Sequence, residues 1–176
     1  MEERKTVIIK SIMHHTADHK LSFEYDYFRR SRWHIKNESG DIVAVADIPV
    51  KLFKSISMDV YDGNMNSVIC HIKDHMDSPF SVKDKYDLEF YDGEKGAVIF
   101  GSKIGYERYY SNLGIELRVA GNHKTIYKDG EIIAKCKENA RTETTTIVYG
   151  DKQYLSQIIL VFFTHVLKEF KDDHNQ

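Results

Sequence analysis

Apolar and polar residues alternate along much of this sequence, which is the pattern of strands with one face on a core and the other in water. The alternation is clear in residues 33–36, 86–90 and 115–119. Asp-Gly and Ser-Gly pairs separate such segments and supply the positive φ of tight hairpins. Apolar runs rich in β-branched residues, which indicate strands covered on both faces, occur at residues 7–9, 43–45, 68–70 and 98–100. The pattern predicts about a dozen strands in an up-and-down antiparallel arrangement.

The end of the chain changes character and predicts one helix at about residues 153–170. Asp151 stands where it can cap the helix N-terminus. Residues 158–163 are all apolar, so this part of the helix has no polar stripe and no side suited to water. The charge-free run, residues 153–166, is too short for a bilayer, which needs about 20 apolar residues. We therefore expect protein to surround the helix, with the strands curling round it as a barrel.

The predicted fold is mainly β (α+β): an antiparallel barrel of about twelve strands that encloses one apolar C-terminal helix. We expect one domain over residues 1–176. Two other arrangements use the same elements. In the first, a hollow calycin-like barrel carries a small molecule and the helix packs outside it. In the second, the helix docks into a partner and the protein is an oligomeric interaction protein.

Charge composition limits the choice of partners. The 176 residues contain 25 basic and 27 acidic side chains, for a net charge of -2. This balance gives no overall attraction to nucleic acid or to an anionic membrane, so any such binding must come from a local patch. The N-terminal residues lack the long apolar region of a signal peptide. Together with the short helix, this feature predicts a cytoplasmic protein.

Motifs of catalysis or metal binding are incomplete in this chain, so we expect no enzyme activity, no cofactor and no metal. Residues 96–103 resemble a phosphate loop, but Ser and Lys stand in reverse order and strand formers replace the loop. The histidines His14, His15, His19, His71 and His75 do not complete a ligand set of three or four. Cys70 and Cys136 are expected to be small buried apolar side chains.

The strongest candidate binding residues are Arg29, Arg30, Arg32 and Lys36. Guanidinium groups this close together can hold a phosphate through paired hydrogen bonds. On a strand, Arg30 and Arg32 would share one face. The alternative, which the pattern favours, is a solvated basic edge that discourages strand pairing.

A second candidate patch combines Tyr106, Tyr109 and Tyr110 with Arg108. Aromatic rings beside a guanidinium can stack on a base or a sugar. Packing on the barrel with the hydroxyl groups outward is the expectation that we prefer, because tyrosine has an apolar ring and a polar tip.

The order of many short strands, hairpin turns and then an axial helix at residues 154–170 resembles the tubby C-terminal-like fold. The likeness is to the LURP-one-related family in particular, and to its small bacterial relatives. Residues 33–44 are similar to the family's recurring unit of strand, polar Gly turn and strand. The resemblance spans about residues 5–172 and implies a barrel of about twelve antiparallel strands round a central helix.

The resemblance also implies a function. Tubby domains bind phosphoinositides, and the phospholipid scramblases share their fold. We therefore expect a non-catalytic binding or regulatory domain whose partner is an anionic phospholipid or a membrane-associated protein, and not nucleic acid. The palmitoylated Cys cluster, calcium-binding segment and membrane helix of the scramblases are not recognisable here, so scramblase activity is not expected.

Overall fold

Twelve strands and one C-terminal helix form the computed structural model, which describes residues 19–25, 31–49, 56–75, 84–139, 141 and 144–174. Each strand pairs antiparallel with its neighbours in the sequence, and β1 closes the ring by pairing with β12. The predicted mainly β fold is confirmed. The strands are β1 (His19–Tyr25), β2 (Arg32–Lys36), β3 (Ile42–Asp47), β4 (Ser57–Asp62), β5 (Val68–His75), β6 (Lys85–Phe90), β7 (Lys95–Lys103), β8 (Tyr106–Ser111), β9 (Ile115–Ala120), β10 (His123–Lys128), β11 (Glu131–Asn139) and β12 (Thr144–Tyr149).

The Asp-Gly pairs occupy hairpin turns, but their glycines serve two purposes. Gly93 and Gly130 have φ values of 83° and 87°, as the hairpin prediction requires. Gly63 does not need positive φ. A Cβ atom there would lie 2.0 Å from the carbonyl oxygen of Ile42, so the close approach of two backbones requires glycine. The turn that contains Gly63 is longer than the other Asp-Gly turns, and the residue with positive φ in it is Met65, at 57°.

The helix begins after a single 3-10 turn, Lys152–Tyr154, and runs from Leu155 to His174 as α1. Both ends are shifted slightly toward the C-terminus from the predicted 153–170. Asp151 caps the 3-10 turn, because its Oδ1 accepts a hydrogen bond from the backbone N–H of Gln153 at 2.9 Å. No helix among the described residues is long and apolar enough to cross a membrane.

Side chains from many strands contact α1, which shows that the helix lies inside the barrel. From β1, the ring of Phe23 packs on Phe162 with centroids 4.3 Å apart. From the opposite part of the ring, Tyr109 on β8 packs on His165 at 5.0 Å. The C-terminal half of α1 also meets Trp33 on β2, Phe100 on β7 and Asp74 on β5. The hollow barrel with an outer helix is therefore not the fold of this chain.

The apolar middle of α1 supplies much of the core. All six residues from 158 to 163 are buried, the most exposed of them being Phe162 at 4%. Burying a large apolar side chain stabilises a protein by about 1.5–3 kcal/mol, so these six contribute on the order of 10 kcal/mol. That amount is comparable to the net stability of an ordinary domain, about 5–15 kcal/mol. Enclosure of the helix is thus essential to the fold.

The short apolar runs were predicted to be buried on both faces, and this holds for some of their residues only. Ala44 and Val45 on β3 are both buried, as expected. On β7, Val98 is buried but Ile99 faces outward and is 41% exposed, so the expectation is wrong there. The run at residues 7–9 lies outside the described residues. Ile99 therefore belongs to the outer surface.

Replacing Phe163 with alanine tests the enclosure of the helix. Phe163 is fully buried, so we expect Phe163→Ala to lower the free energy of unfolding by about 3–5 kcal/mol. Ile104→Ala is the control, since Ile104 is fully exposed and its loss should change little. Urea unfolding followed by circular dichroism measures both. Equal effects of the two substitutions would contradict this position of the helix.

Candidate functional site

The basic residues predicted on β2 have carboxylate partners where the structure describes them. Ile35 is fully buried and points inward. Side chains alternate along a strand, so Lys36, one residue later, and Arg32, three residues earlier, face outward. Arg32 Nη2 lies 3.6 Å from Asp47 Oδ2, and Lys36 pairs with Glu24 on β1. The other two predicted residues, Arg29 and Arg30, lie outside the described residues. A phosphate site at residues 29–36 stays a prediction.

Polar and charged side chains on the outer face of β4, β5 and β6 also contact one another. His71 Nδ1 lies 2.6 Å from Asp59 Oδ1, and Lys73 Nζ donates to Glu89 Oε2 at 2.9 Å. His75 contacts a carboxylate in the same way. Within the described ranges, no three His, Cys, Asp or Glu side chains converge on a point where a metal ion could bind. His14 and His15 lie outside these ranges. The polar side chains of this face are therefore engaged with one another in local contacts.

The phosphate-loop resemblance has no structural counterpart. Residues 96–103 belong to strand β7, which pairs with β6 and β8 along this length. Their backbone N–H groups point to neighbouring strands or away from each other, whereas a phosphate cradle needs converging N–H groups before a helix. Both cysteines are buried, as expected, and neither forms a disulfide. Burial raises the pKa of Cys136 to about 12, so its thiol stays protonated and is not a nucleophile.

A buried carboxylate organises the aromatic and basic residues of β8, β9 and β10. Glu116 Oε1 lies 2.8 Å from Arg108 Nε and 2.7 Å from Arg118 Nε. Burial acts to raise the pKa of Glu116, but the two guanidinium groups outweigh it and hold this pKa below its usual value. Arg118 lies over the ring of Tyr127 at 4.2 Å, and Arg108 over Tyr110 at 4.9 Å. Both guanidinium groups are therefore held by contacts within the protein.

Tyr109 faces the interior, so the expectation of an outward hydroxyl is wrong for this residue. It is 1% exposed, and its hydroxyl lies 3.0 Å from His165 Nδ1 on α1. Burial, assisted by the positive charges of Lys124 and Lys168, lowers the pKa of His165 to about 3. Burial raises the pKa of Tyr109, whose protonated hydroxyl donates to Nδ1. The proton of the neutral imidazole then sits on Nε2, which is 3.3 Å from Glu169 Oε1.

Three lysines on β1 and β11, the two strands that flank β12, differ from the paired charges described above. Lys20 on β1 and Lys135 on β11 flank Val148 of β12 in register, and Lys137 lies two residues further along β11. All three are exposed. Among the described residues, no carboxylate lies within ion-pair distance of their ammonium groups. We call Lys20, Lys135 and Lys137 the basic face.

A groove of about 840 Å³ runs along part of the basic face, over β10, β11 and β12. Its charged and polar lining comprises Lys128, Lys135, Lys137 and His123 together with the carboxylates of Glu131 and Asp151, and Ile132 and Val148 provide apolar lining. Ile132 is 53% exposed, which is unusual for so apolar a side chain. Small-molecule sites generally have volumes of about 300–1,000 Å³. The groove is thus large enough for a small amphiphilic ligand.

Sequence reasoning missed the basic face because its members are far apart in the chain. Closure of the barrel through β1 and β12 brings Lys20 beside the two lysines of β11. A local signal was present, since Lys135, Cys136 and Lys137 alternate polar, apolar and polar. That alternation predicts two lysines on the outer face of one strand. The pairing of the first strand with the last is not readable from such local patterns.

The fold has a counterpart among solved structures. The X-ray structure of a protein from Arabidopsis thaliana superposes with a TM-score of 0.51 and 12% sequence identity. The superposition covers 90% of this chain and 92% of that one. At this identity the likeness concerns the fold alone. The chain matches no family model and no curated protein.

The buried imidazole predicts how stability depends on pH. The pKa of His165 is about 3 in the folded protein and about 6.5 when unfolded, so between these values only the unfolded chain takes up the proton. Stability from this group is complete above pH ~6.5 and falls as the pH drops toward 3. Between pH 7 and pH 5 the loss is about 2 kcal/mol.

Urea unfolding at pH 7 and pH 5 measures this loss. His165→Gln should lose about 2 kcal/mol less than the native protein over this interval. His123→Gln is the matched control, because it makes the same replacement at an exposed histidine on β10. If His165→Gln and the native protein lose the same free energy, the imidazole is not buried as described.

Proposed function

We propose that this protein is a non-catalytic binding domain that recognises anionic phospholipid head groups at a membrane surface in the cytoplasm. The basic face carries the proposal: Lys20, Lys135 and Lys137 lie close together and have no carboxylate partner among the described residues. Arg32 and Lys36, in contrast, each contact a carboxylate. These ammonium groups, on the two strands that flank β12, are available to an external anion.

The chemistry of the basic face suits a phosphate group. In register, Ser22 of β1, Thr146 of β12 and Lys137 of β11 form one row across the strands. Hydroxyl and ammonium groups both donate hydrogen bonds to phosphate oxygens. Each lysine near an anionic membrane contributes about 1 kcal/mol of binding free energy. Since the net charge of the chain is -2, this attraction would orient the basic face toward the membrane.

The position of the helix supports binding at the outer surface. The apolar middle of α1 fills the interior, which favours a surface-binding domain over a carrier with a central cavity. The fold likeness to the Arabidopsis protein is compatible with the tubby-like, LURP-one-related resemblance drawn from the sequence. Membership of that family is part of this proposal, as is its implied role in membrane-linked regulation.

Vesicle co-sedimentation with a charge-reversal variant tests the proposal. We expect the native protein to bind vesicles that contain phosphatidylserine or phosphoinositide, and to bind phosphatidylcholine vesicles much less. Lys135→Glu with Lys137→Glu should reduce binding by about 2–4 kcal/mol, because two attractions become repulsions. Lys95→Glu with Lys103→Glu is the matched control: the same charge change at exposed lysines on β7. Binding should also weaken as salt rises.

Three outcomes of this assay would count against the proposal or relocate the site. No binding of the native protein to any anionic vesicle would refute the function. If the test and control variants lose the same amount of vesicle binding, the net charge of the protein determines binding and the basic face is not a specific site.

A second variant, Arg30→Glu with Arg32→Glu, examines the binding residues predicted from the sequence, Arg29, Arg30, Arg32 and Lys36. A loss there, with Lys135→Glu and Lys137→Glu unaffected, would place the site at residues 29–36.

A further inference from the structure

One part of the groove beside the basic face is apolar and open to solvent. Ile132 at the start of β11 is 53% exposed and Tyr154 before α1 is half-buried, and the half-buried Val148 of β12 lies opposite Lys135, further along the groove. Toward the other end of β11, the groove is lined by Lys135 and Lys137. An apolar section and a cationic section therefore follow one another along a single strand.

The dimensions of this groove suit a chain molecule with one charged end. A strand rises about 3.3 Å per residue, so Ile132 and Lys137 are separated by about 17 Å along β11. The groove volume of about 840 Å³ is continuous past both residues. A hydrocarbon chain would cover the apolar section, and an anionic head would reach the ammonium group of Lys137.

We propose that this groove binds one molecule of a single-chain anionic amphiphile, such as an alkyl phosphate or a fatty acid. The head lies at Lys137 and His123, and the chain lies along Val148, Ile132 and Tyr154. This inference rests on the proposed recognition of anionic head groups and adds a hydrocarbon chain to the ligand. Binding of the monomer requires no membrane.

An extended peptide is a poorer occupant of the groove. Peptides that add to a sheet need a free strand edge with unpaired N–H and C=O groups. Here β11 is paired on both sides, with β10 and with β12. An occupant must therefore bind through side chains, which present apolar surface, the ammonium groups of Lys135 and Lys137, and two carboxylates, Glu131 and Asp151, toward the Ile132 end. An anionic amphiphile with its head at Lys137 matches the apolar surface and keeps its charge at the end away from both carboxylates.

Titration calorimetry with dodecyl phosphate below its critical micelle concentration tests the inference without vesicles. We expect saturable binding of one molecule per protein. Ile132→Ser and Lys137→Glu should each weaken binding by about tenfold or more, through loss of chain burial and of charge attraction. Ile99→Ser and Lys103→Glu are matched controls, because Ile99 is 41% exposed and Lys103 is exposed on β7. The controls should bind within about twofold of the native protein.

Two other ligands make the test specific. Dodecyltrimethylammonium has the same chain and the opposite charge, and inorganic phosphate has the head without the chain. Neither should bind at the concentrations that saturate with dodecyl phosphate. Equal binding of the cationic ligand, or equal effects of groove and control substitutions, would overturn the inference.

The outcomes separate this inference from the proposed function. A protein that binds anionic vesicles but not the dodecyl phosphate monomer would refute the groove ligand alone. A protein that binds neither would refute both proposals. Binding of the monomer without vesicle binding would retain the groove and refute recognition at a membrane surface.

Discussion

The fold of this protein depends on one requirement: the middle of α1 is apolar on every side and must be enclosed. A sheet with one apolar face can cover only one side of such a helix. A closed barrel of twelve strands covers all sides at once, and closure also pairs the first strand, β1, with the last, β12. The unpaired strand edges of an open sheet are removed by the same closure. The helix and the barrel therefore stabilise each other.

Because the helix fills the interior, the side chains that a ligand could reach lie on the outside of the barrel. Inside the barrel, the hydroxyl of Tyr109 and Nδ1 of His165 are hydrogen-bonded to each other. On the outer surface, many cationic side chains contact a neighbouring carboxylate. The pair of Arg32 and Asp47 is one example. The lysines of the basic face are exceptions to this pattern. Their proximity depends on the closure that the helix requires.

The sequence predicted the parts of the structure that depend on local pattern. Residues 158–163 identified a fully enclosed helix, and Asp-Gly pairs identified hairpin turns. Prediction was wrong where a side chain's environment depends on its neighbours in three dimensions. Ile99 lies in an apolar run yet faces solvent, and Tyr109 lies in a polar cluster yet faces the helix. The basic face was missed because strand order in space, and not in sequence, brings Lys20 to β11.

Removal of the helix tests the central claim most directly. A chain lacking residues 151–176 keeps all twelve strands and loses only the 3-10 turn, α1 and the residues after it. Because the helix supplies the centre of the core, this chain should show no cooperative urea transition and should expose its apolar residues to hydrophobic dyes. The full chain should unfold cooperatively under the same conditions. A truncated chain that kept a cooperative transition and strand-type circular dichroism would contradict the account.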